Sequence, residues 1–200
     1  MRKLLIATKN PGKLHEFSIF LTEFDIVSLS DIGIDKDVDE DGKTFEENSQ
    51  KKALFYAKLS GFPSLSDDGG LEIDALGGQP GVKSRRWLGH EGTDEELKTH
   101  LWKVMNSLPL DTRSARFTTV VSFALPTGQV WSERGEVKGI LMDNGKTRDF
   151  VGYPFRSYFY LPQIQKYYYE SELSPEEQKR FNHRHIALMK LFPTIANILS

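Results

Sequence analysis

Two long arms of β-branched and aromatic residues, Ala115 to Leu125 and Gln129 to Leu141, flank the pair Thr127-Gly128. Such arms around a glycine-containing turn predict a hairpin. Strands of that length in a chain of 200 residues predict an elongated sheet. The rest of the chain alternates short strands with helices. A strand from Arg2 to Ala7 breaks at polar residues and gives way to a helix, with Asn10 as N-cap and Pro11 in the first turn. A second strand follows at Ile26 to Leu29, then an acidic loop from Asp35 to Gly42. Thr44-Phe45-Glu46-Glu47 has the form of a capping box, and its helix runs to about Ser60, where Gly61 and Pro63 stop it. Ser64 to Asp68 reads as a short strand carrying its acids at the C-terminal end, with Leu71 to Ala75 continuing as strand. Thr93-Asp94-Glu95-Glu96 caps a helix that ends near Asn106. The tail from Ser174 to Leu199 reads as helical, packing through Phe181, Ile186, Leu188, Met189 and Leu191.

Composition narrows the partners. With 38% hydrophobic and 27% charged residues, the chain can build one large core or two lobes sharing a sheet. No repeat or low-complexity linker divides it, so residues 1–200 are expected to form a single two-lobed domain. A net charge of −2 argues against a nucleic-acid polymer as ligand, while a few lysines can still focus on one phosphate group. The absence of cysteine removes thiol nucleophiles and zinc–thiolate sites and agrees with a cytoplasmic location. The first apolar run, Leu4 to Ala7, is too short for an exported or membrane-anchored protein, so no membrane partner is expected.

The chemistry concentrates in Ser66 to Trp87, where the adjacent acids Asp67 and Asp68 meet two glycines and a basic end at Arg85-Arg86. A solvated turn would account for Asp-Asp-Gly-Gly by itself. Hard carboxylate oxygens side by side also suit a divalent cation, and the glycines allow another group close to the backbone. At the other end of the chain, the helix beginning after Asn10 should present unpaired N–H groups and a positive dipole end, with Lys13 adding a full charge. Strand and helix together read as a phosphate cradle. It is not a Walker loop, since Leu14 stands where a magnesium-binding Ser or Thr would follow Gly12-Lys13.

Several patterns occur in order: Thr8-x-Asn10-x-x-Lys13-x-x-Glu16, Thr44-Phe45-x-Glu47-Asn48-x-x-x-Lys52-Ala53, Ser66 to Arg86, Ala115-Arg116-Phe117, and His183-Arg184 with Ala187-Leu188. Together they resemble the inosine triphosphate pyrophosphatase family over nearly the whole chain. The resemblance implies an α/β fold, an elongated mixed β-sheet flanked by helices with two lobes around a central cleft. It implies magnesium-dependent hydrolysis of a nucleoside triphosphate to the monophosphate and pyrophosphate, and a homodimer. On the matching positions, Asp68 is the catalytic carboxylate and a metal ligand, and Asp41 is the second acidic metal contact, with Glu40 beside it as the alternative. Thr8, Asn10, Lys13 and Lys52 match phosphate-binding positions. Arg86 matches the basic residue closing the acidic block, and His183 with Arg184 match the pair that faces the base.

Four departures fall on the nucleoside side. Gly69 replaces a Ser. The loop Val151-Gly152-Tyr153-Pro154-Phe155-Arg156 lacks the family's Asp, with Arg156 in its place or the Asp deleted. Gln178 replaces a Lys, with Lys179 next to it, and Asn182 replaces a Ser. Tyr153, Phe155, Arg156 and Gln178 therefore become candidate base contacts, Arg156 as a donor and Phe155 by stacking. Intact phosphate and metal residues beside an altered base pocket imply retained hydrolysis with changed base selection. A pyrophosphatase for a pyrimidine or other modified nucleotide, and a nucleotide-binding regulator without turnover, are the alternatives.

Overall fold

The computed structural model describes residues 3–143, 152–169 and 172–199. Seven strands form one mixed sheet in the order β2-β1-β3-β4-β5-β6-β7. The strands are β1 (Lys3–Ile6), β2 (Asp25–Ser28), β3 (Ser64–Ile73), β4 (Ser114–Ala124), β5 (Val130–Leu141), β6 (Phe159–Leu161) and β7 (Lys166–Tyr167). β1 pairs in parallel with both β2 and β3, whereas β5, β6 and β7 pair antiparallel. Among the described residues the α-helices are α1 (Pro11–Phe20), α2 (Phe45–Ser60), α3 (Asp94–Ser107), α4 (Pro175–Phe181) and α5 (His183–Ile198). The chain divides into two compact units: Met1–Asp68, Thr119–Gly135 and His183–Ser200 form the first, Gly69–Thr118 and Glu136–Asn182 the second.

In the first unit, helices cover both faces of the strands. Leu4, Ile6, Leu65, Val121 and Phe123 pack with Phe17 and Leu21 of α1 and with Ala187, Leu188, Leu191 and Ile195 of α5. Leu5, Ala7, Val27 and Leu29 point the other way and cluster with Tyr56 of α2. Because successive residues of a strand face opposite sides, these two apolar sets assign each strand residue to a helix. On α2 the buried residues Phe45, Asn48, Ser49, Lys52, Ala53, Tyr56 and Ala57 fall on one helical stripe, whose first half carries the polar Asn48, Ser49 and Lys52 after Phe45 and whose second half is largely apolar. Ser49 and Ser66 clamp that first half to β3 by exchanging side-chain-to-carbonyl hydrogen bonds of 3.4 and 2.6 Å.

The acidic loop after β2 has no regular structure, yet side chains tether it along its length. Lys9 Nζ bonds the Asp35 carbonyl and the Asp37 carboxylate, and the Tyr56 hydroxyl donates to the Lys36 carbonyl. Lys52 holds Glu40, Lys51 holds Asp41, and Asn48 Oδ1 accepts the Gly42 N–H.

The second unit holds an aromatic core in which the Phe117, Phe159 and Tyr168 rings meet with centroids 4.7 to 5.9 Å apart. Trp87 packs edge-on against His100 and Phe155. Glu72 of β3 accepts from Arg116 and Thr118 of β4.

The structure departs from the sequence expectations at three points. β3 does not end at the acids: it runs unbroken to Ile73, and Gly69-Gly70 are extended residues, not a turn. Gly70 is needed for clearance, since a Cβ there would lie 2.6 Å from the Gly81 carbonyl and strike Ser84 Oγ, which bonds Leu71 N at 3.0 Å. The box at Thr44 is half formed, because the Glu47 carboxylate takes the Lys43 N–H instead of that of Thr44. The tail breaks at Asn182 into α4 and α5, and Met189 is exposed while Ala187 and Ile195 supply the packing. Val151 lies outside the described residues.

Gly135 of β5 lies against the first turn of α5. An added Cβ would strike the His183 carbonyl and come within 2.7 Å of Ala187 N, both of them backbone atoms that cannot rotate away. Gly135→Ala should therefore cost about 2 kcal/mol or more by overpacking. Urea denaturation of wild type and variant checks this, and matching midpoints would show that β5 does not press on α5.

Candidate active site

Asp67 and Asp68 are neighbours in sequence and point to opposite faces of β3. Asp67 shares the side of Leu65, toward α1 and α5. Asp68 shares the side of Ser66, toward α2. The idea that adjacent carboxylates chelate one cation together is corrected by this alternation. Each has its own surroundings and its own chemistry.

On the first face, Asp67 Oδ2 lies 3.1 Å from Lys13 Nζ, 3.0 Å from Arg184 Nε and 3.0 Å from Arg184 NH2. Arg184 reaches Glu16 of α1 with NH1. The Thr119 hydroxyl lies 2.9 Å from the Asp68 carbonyl and 3.2 Å from Asp67 Oδ2, and its one proton serves either. Burial works to raise the Asp67 carboxyl, but Arg184, Lys13 and Lys52 overcome it and hold the group well below the usual carboxylate range. Lys13 is lowered, first by burial and then by Lys52 and Arg184, against the pull of Asp67. Its ammonium is thus a cation in crowded positive surroundings, a good partner for an incoming anion.

On the second face, Asn48 Nδ2 donates to Asp68 Oδ2 at 3.0 Å, while its Oδ1 accepts the Gly42 N–H at 2.8 Å. The backbone donor fixes which end of the amide faces Asp68. Lys52 Nζ lies 2.9 Å from Glu40 Oε1 and 3.9 Å from Asp68 Oδ1. Burial and the Glu40 charge raise the Asp68 carboxyl, against Lys52. Burial works to lower the Lys52 ammonium, but Asp68, Glu40 and Asp67 outweigh it and raise it. Asp67 is therefore a fixed anion and Asp68 the better proton acceptor.

The sequence-derived candidates divide between the units. Lys13, Lys52, Asp68 and Arg184 come together in the first, with His183 buried at the start of α5. Thr8 Oγ1 accepts the Asn10 N–H, and Asn10 Oδ1 caps α1 by accepting from Gly12 N and Lys13 N. The expected unpaired N–H groups are therefore absent at that helix end: Pro11 has none, and Asn10 takes the next two. Asp41 is turned outward, 74% exposed and paired with Lys51, so Glu40 is the acid that the loop brings to Lys52 and Asp68.

In the second unit, Gly69 continues β3, Arg86 is exposed at the end of a short 3-10 helix, and Gln178 is half-buried on α4. Arg156 is buried with its guanidinium 3.8 Å from the Tyr153 ring centroid and 4.6 Å from that of Tyr168. Phe155 is buried edge-on against Trp87, so its ring is a packing element of this unit. Sequence reasoning gave no role to Asn48 or Glu16 and read Asp67 only as a cation ligand beside Asp68, although all three stand inside the patterns it used.

Neutralising Asp67 would leave Arg184 and Lys13 buried without their shared anion. Because the folded carboxyl sits below its ordinary 3.8, its contribution is full above about pH 4 and disappears as the pH falls through the depressed range. Asp67→Asn should lose about 3 kcal/mol or more at pH 7. The difference from wild type should shrink toward pH 2, as urea denaturation at several pH values would show.

The sequence model of the Ham1 family matches residues 4–194. The dITP/XTP pyrophosphatase of Geobacter sulfurreducens is 37% identical over 193 residues, covering 96% of this chain and 95% of that protein. A dITP/XTP pyrophosphatase of Thermus thermophilus is 37% identical over 191 residues, covering 94% and 89%. The Ham1 protein structure from Coxiella burnetii superposes with a TM-score of 0.80 at 30% identity over 98% of this chain and all of that one. Matched from β1 into α5, with the same mixed sheet, the chain belongs to the Ham1 family.

Proposed function

We propose that this protein is a nucleoside triphosphate pyrophosphatase, hydrolysing non-standard purine nucleoside triphosphates such as dITP and XTP to the monophosphate and pyrophosphate, and so clearing them from the cytoplasmic pool. The observation that carries this reading is the convergence of Lys13, Lys52, Asp68 and Glu40 in one unit: Lys52 lies beside both Glu40 and Asp68, and Lys13, paired with Asp67, interacts electrostatically with Lys52 and Asp68. Full-length relatives named for dITP/XTP pyrophosphatase activity support it. Their names also favour purines over the pyrimidine alternative.

In the reaction, a water oxygen bonds to the α-phosphorus, the bond to the bridging oxygen breaks, and pyrophosphate departs with its electron pair. Lys13 and Lys52 bind the phosphate oxygens and offset charge that builds on the leaving group. Asp68, with its raised affinity for protons, accepts the proton of the attacking water or orients it, and Asn48 holds the carboxylate in place. Magnesium fits the donors present: Asp68 and Glu40 supply hard oxygens close enough that one raises the other. Among the described residues no group of three or more metal-binding side chains occurs, which suits an ion completed by phosphate oxygens and water. When bound, magnesium would neutralise the polyphosphate.

Asp68→Asn keeps the shape and removes the charge, so turnover should fall by about 2 kcal/mol in the barrier, roughly thirtyfold, with the melting temperature little changed. A chelator should stop wild-type turnover and added magnesium restore it. Pyrophosphate release from dITP, XTP, the standard purine triphosphates and a pyrimidine triphosphate gives the readout. Near-normal release by Asp68→Asn would remove the assignment, and a pyrimidine at the head of the ranking would reverse the choice of base.

A homodimer is part of the same proposal. Trp102, Leu110 and Met142 are exposed apolar residues of the second unit, a composition suited to a partner copy. Light scattering at micromolar concentration should give about twice 22.8 kDa, and a value at 22.8 kDa refutes it.

A further inference from the structure

Asn48 and Lys52 stand one turn apart on the buried stripe of α2, and each joins the acidic loop to Asp68. Lys52 Nζ lies 2.9 Å from Glu40 Oε1 of the loop and 3.9 Å from Asp68 Oδ1. Asn48 accepts the Gly42 N–H of the same loop at 2.8 Å and donates to Asp68 Oδ2 at 3.0 Å. Each oxygen of the Asp68 carboxylate is thus addressed by a side chain that also grips the loop, one through a charge and the other through an amide. Gly42 closes over this arrangement. A Cβ built on it would lie 2.6 Å from Asn48 Oδ1 and 2.9 Å from Glu47 Cβ. Its φ lies outside the left-handed region, so its lack of a side chain serves clearance over the amide and not backbone freedom.

We infer that Asn48 is a positioning residue for the reaction and that Gly42 seats its amide, so that the acidic loop sets the orientation of the Asp68 carboxylate. The inference rests on the pyrophosphatase reading above and names the residues through which the loop acts on its chemistry. The physical reason is the two-ended nature of an amide. With Oδ1 pinned by a backbone N–H, Nδ2 is left to face Asp68, and rotating the group forfeits both bonds. The carboxylate itself turns about a broad torsion, so its own side chain does not fix its plane. Lys52, a point charge at 3.9 Å, does not fix it either, whereas the hydrogen bond from Asn48 is directional. With Oδ2 committed to Asn48, Oδ1 is turned to the side of Lys52 and of the phosphates that Lys52 binds in this reaction. The attacking water then meets an acceptor that is oriented before the substrate arrives.

Gly42→Ala alters a residue that has no side-chain functional group, so a loss of turnover in it is positional. The added methyl should push the Asn48 amide off Asp68, and kcat for dITP should fall about fivefold or more with KM changed less than about twofold. Asn48→Ala removes the donor directly and should lower kcat about tenfold, the size expected for a hydrogen bond to a charged group. A rise in KM with kcat unmoved would make Asn48 a binding residue and overturns the inference. The double variant separates one coupled device from two independent defects. Where Gly42 acts through Asn48, its kcat should lie within about twofold of Asn48→Ala, and losses that multiply refute the coupling. The Glu47 contact is present in both backgrounds and cancels from this comparison. Should Asn48→Ala fail to fold, Asn48→Asp takes its place, since it keeps an acceptor for Gly42 and loses the donor to Asp68. The crystal structure of Gly42→Ala is a readout independent of turnover. Asn48 Nδ2 should lie beyond about 3.5 Å from Asp68 Oδ2, and an unmoved amide overturns the inference. Absence of pyrophosphate release from dITP by wild type would refute the underlying reaction, and the Gly42→Ala structure would then decide the coupling by itself.

Discussion

An ionised carboxylate cut off from water is stable only inside a shell of cations, and in this protein that condition is met around Asp67. Arg184, Lys13 and the Thr119 hydroxyl come from α5, α1 and β4. Sequence separations of more than fifty residues on either side of β3 are thereby closed on one oxygen atom. The apolar contacts of Leu65, Phe17 and Leu188 bring these elements together, and the polar cluster then specifies their registration. The position of α5 against β5 follows from the same packing, since only a residue without a side chain fits at Gly135.

The architecture was legible where local rules decide it. Asn10 and Pro11 at the start of α1, Gly61 with φ 73° ending α2, and the reciprocal box of Thr93 and Glu96 all follow from capping chemistry. The Ala115–Leu141 hairpin is present as β4 and β5, adjacent in the sheet. Legibility ended where a distant residue competes. Gly69-Gly70 looked like a turn because nothing nearby announces that Ser84 fills the space over Gly70. Asn182 ends α4 although helix-forming residues follow it.

Within the site, spacing revealed which residues carry charge but not which way each faces. Lys51 and Lys52 differ by one position on α2, and that step sends one outward to Asp41 and the other inward to Glu40 and Asp68. The same step on β3 separates Asp67 from Asp68. In both places identical residue types do different work because periodicity assigns them to different surroundings. Arg184 was read by its match to a pattern, and its partners are settled only by the fold.

The tethered acidic loop has a further consequence, in its response to salt. Its outer fastenings, Lys9 with Asp37 and Lys51 with Asp41, join side chains that are 41% to 74% exposed, where dissolved ions screen attraction well. The Lys52–Glu40 pair has its lysine 11% exposed, and the Asn48 link to Gly42 is a hydrogen bond between uncharged groups. Rising ionic strength should thus loosen the loop from its rim inward, with Glu40 the last to be released. A loop built in this way keeps Glu40 in place over a wide range of salt while its exposed margin adjusts to the medium.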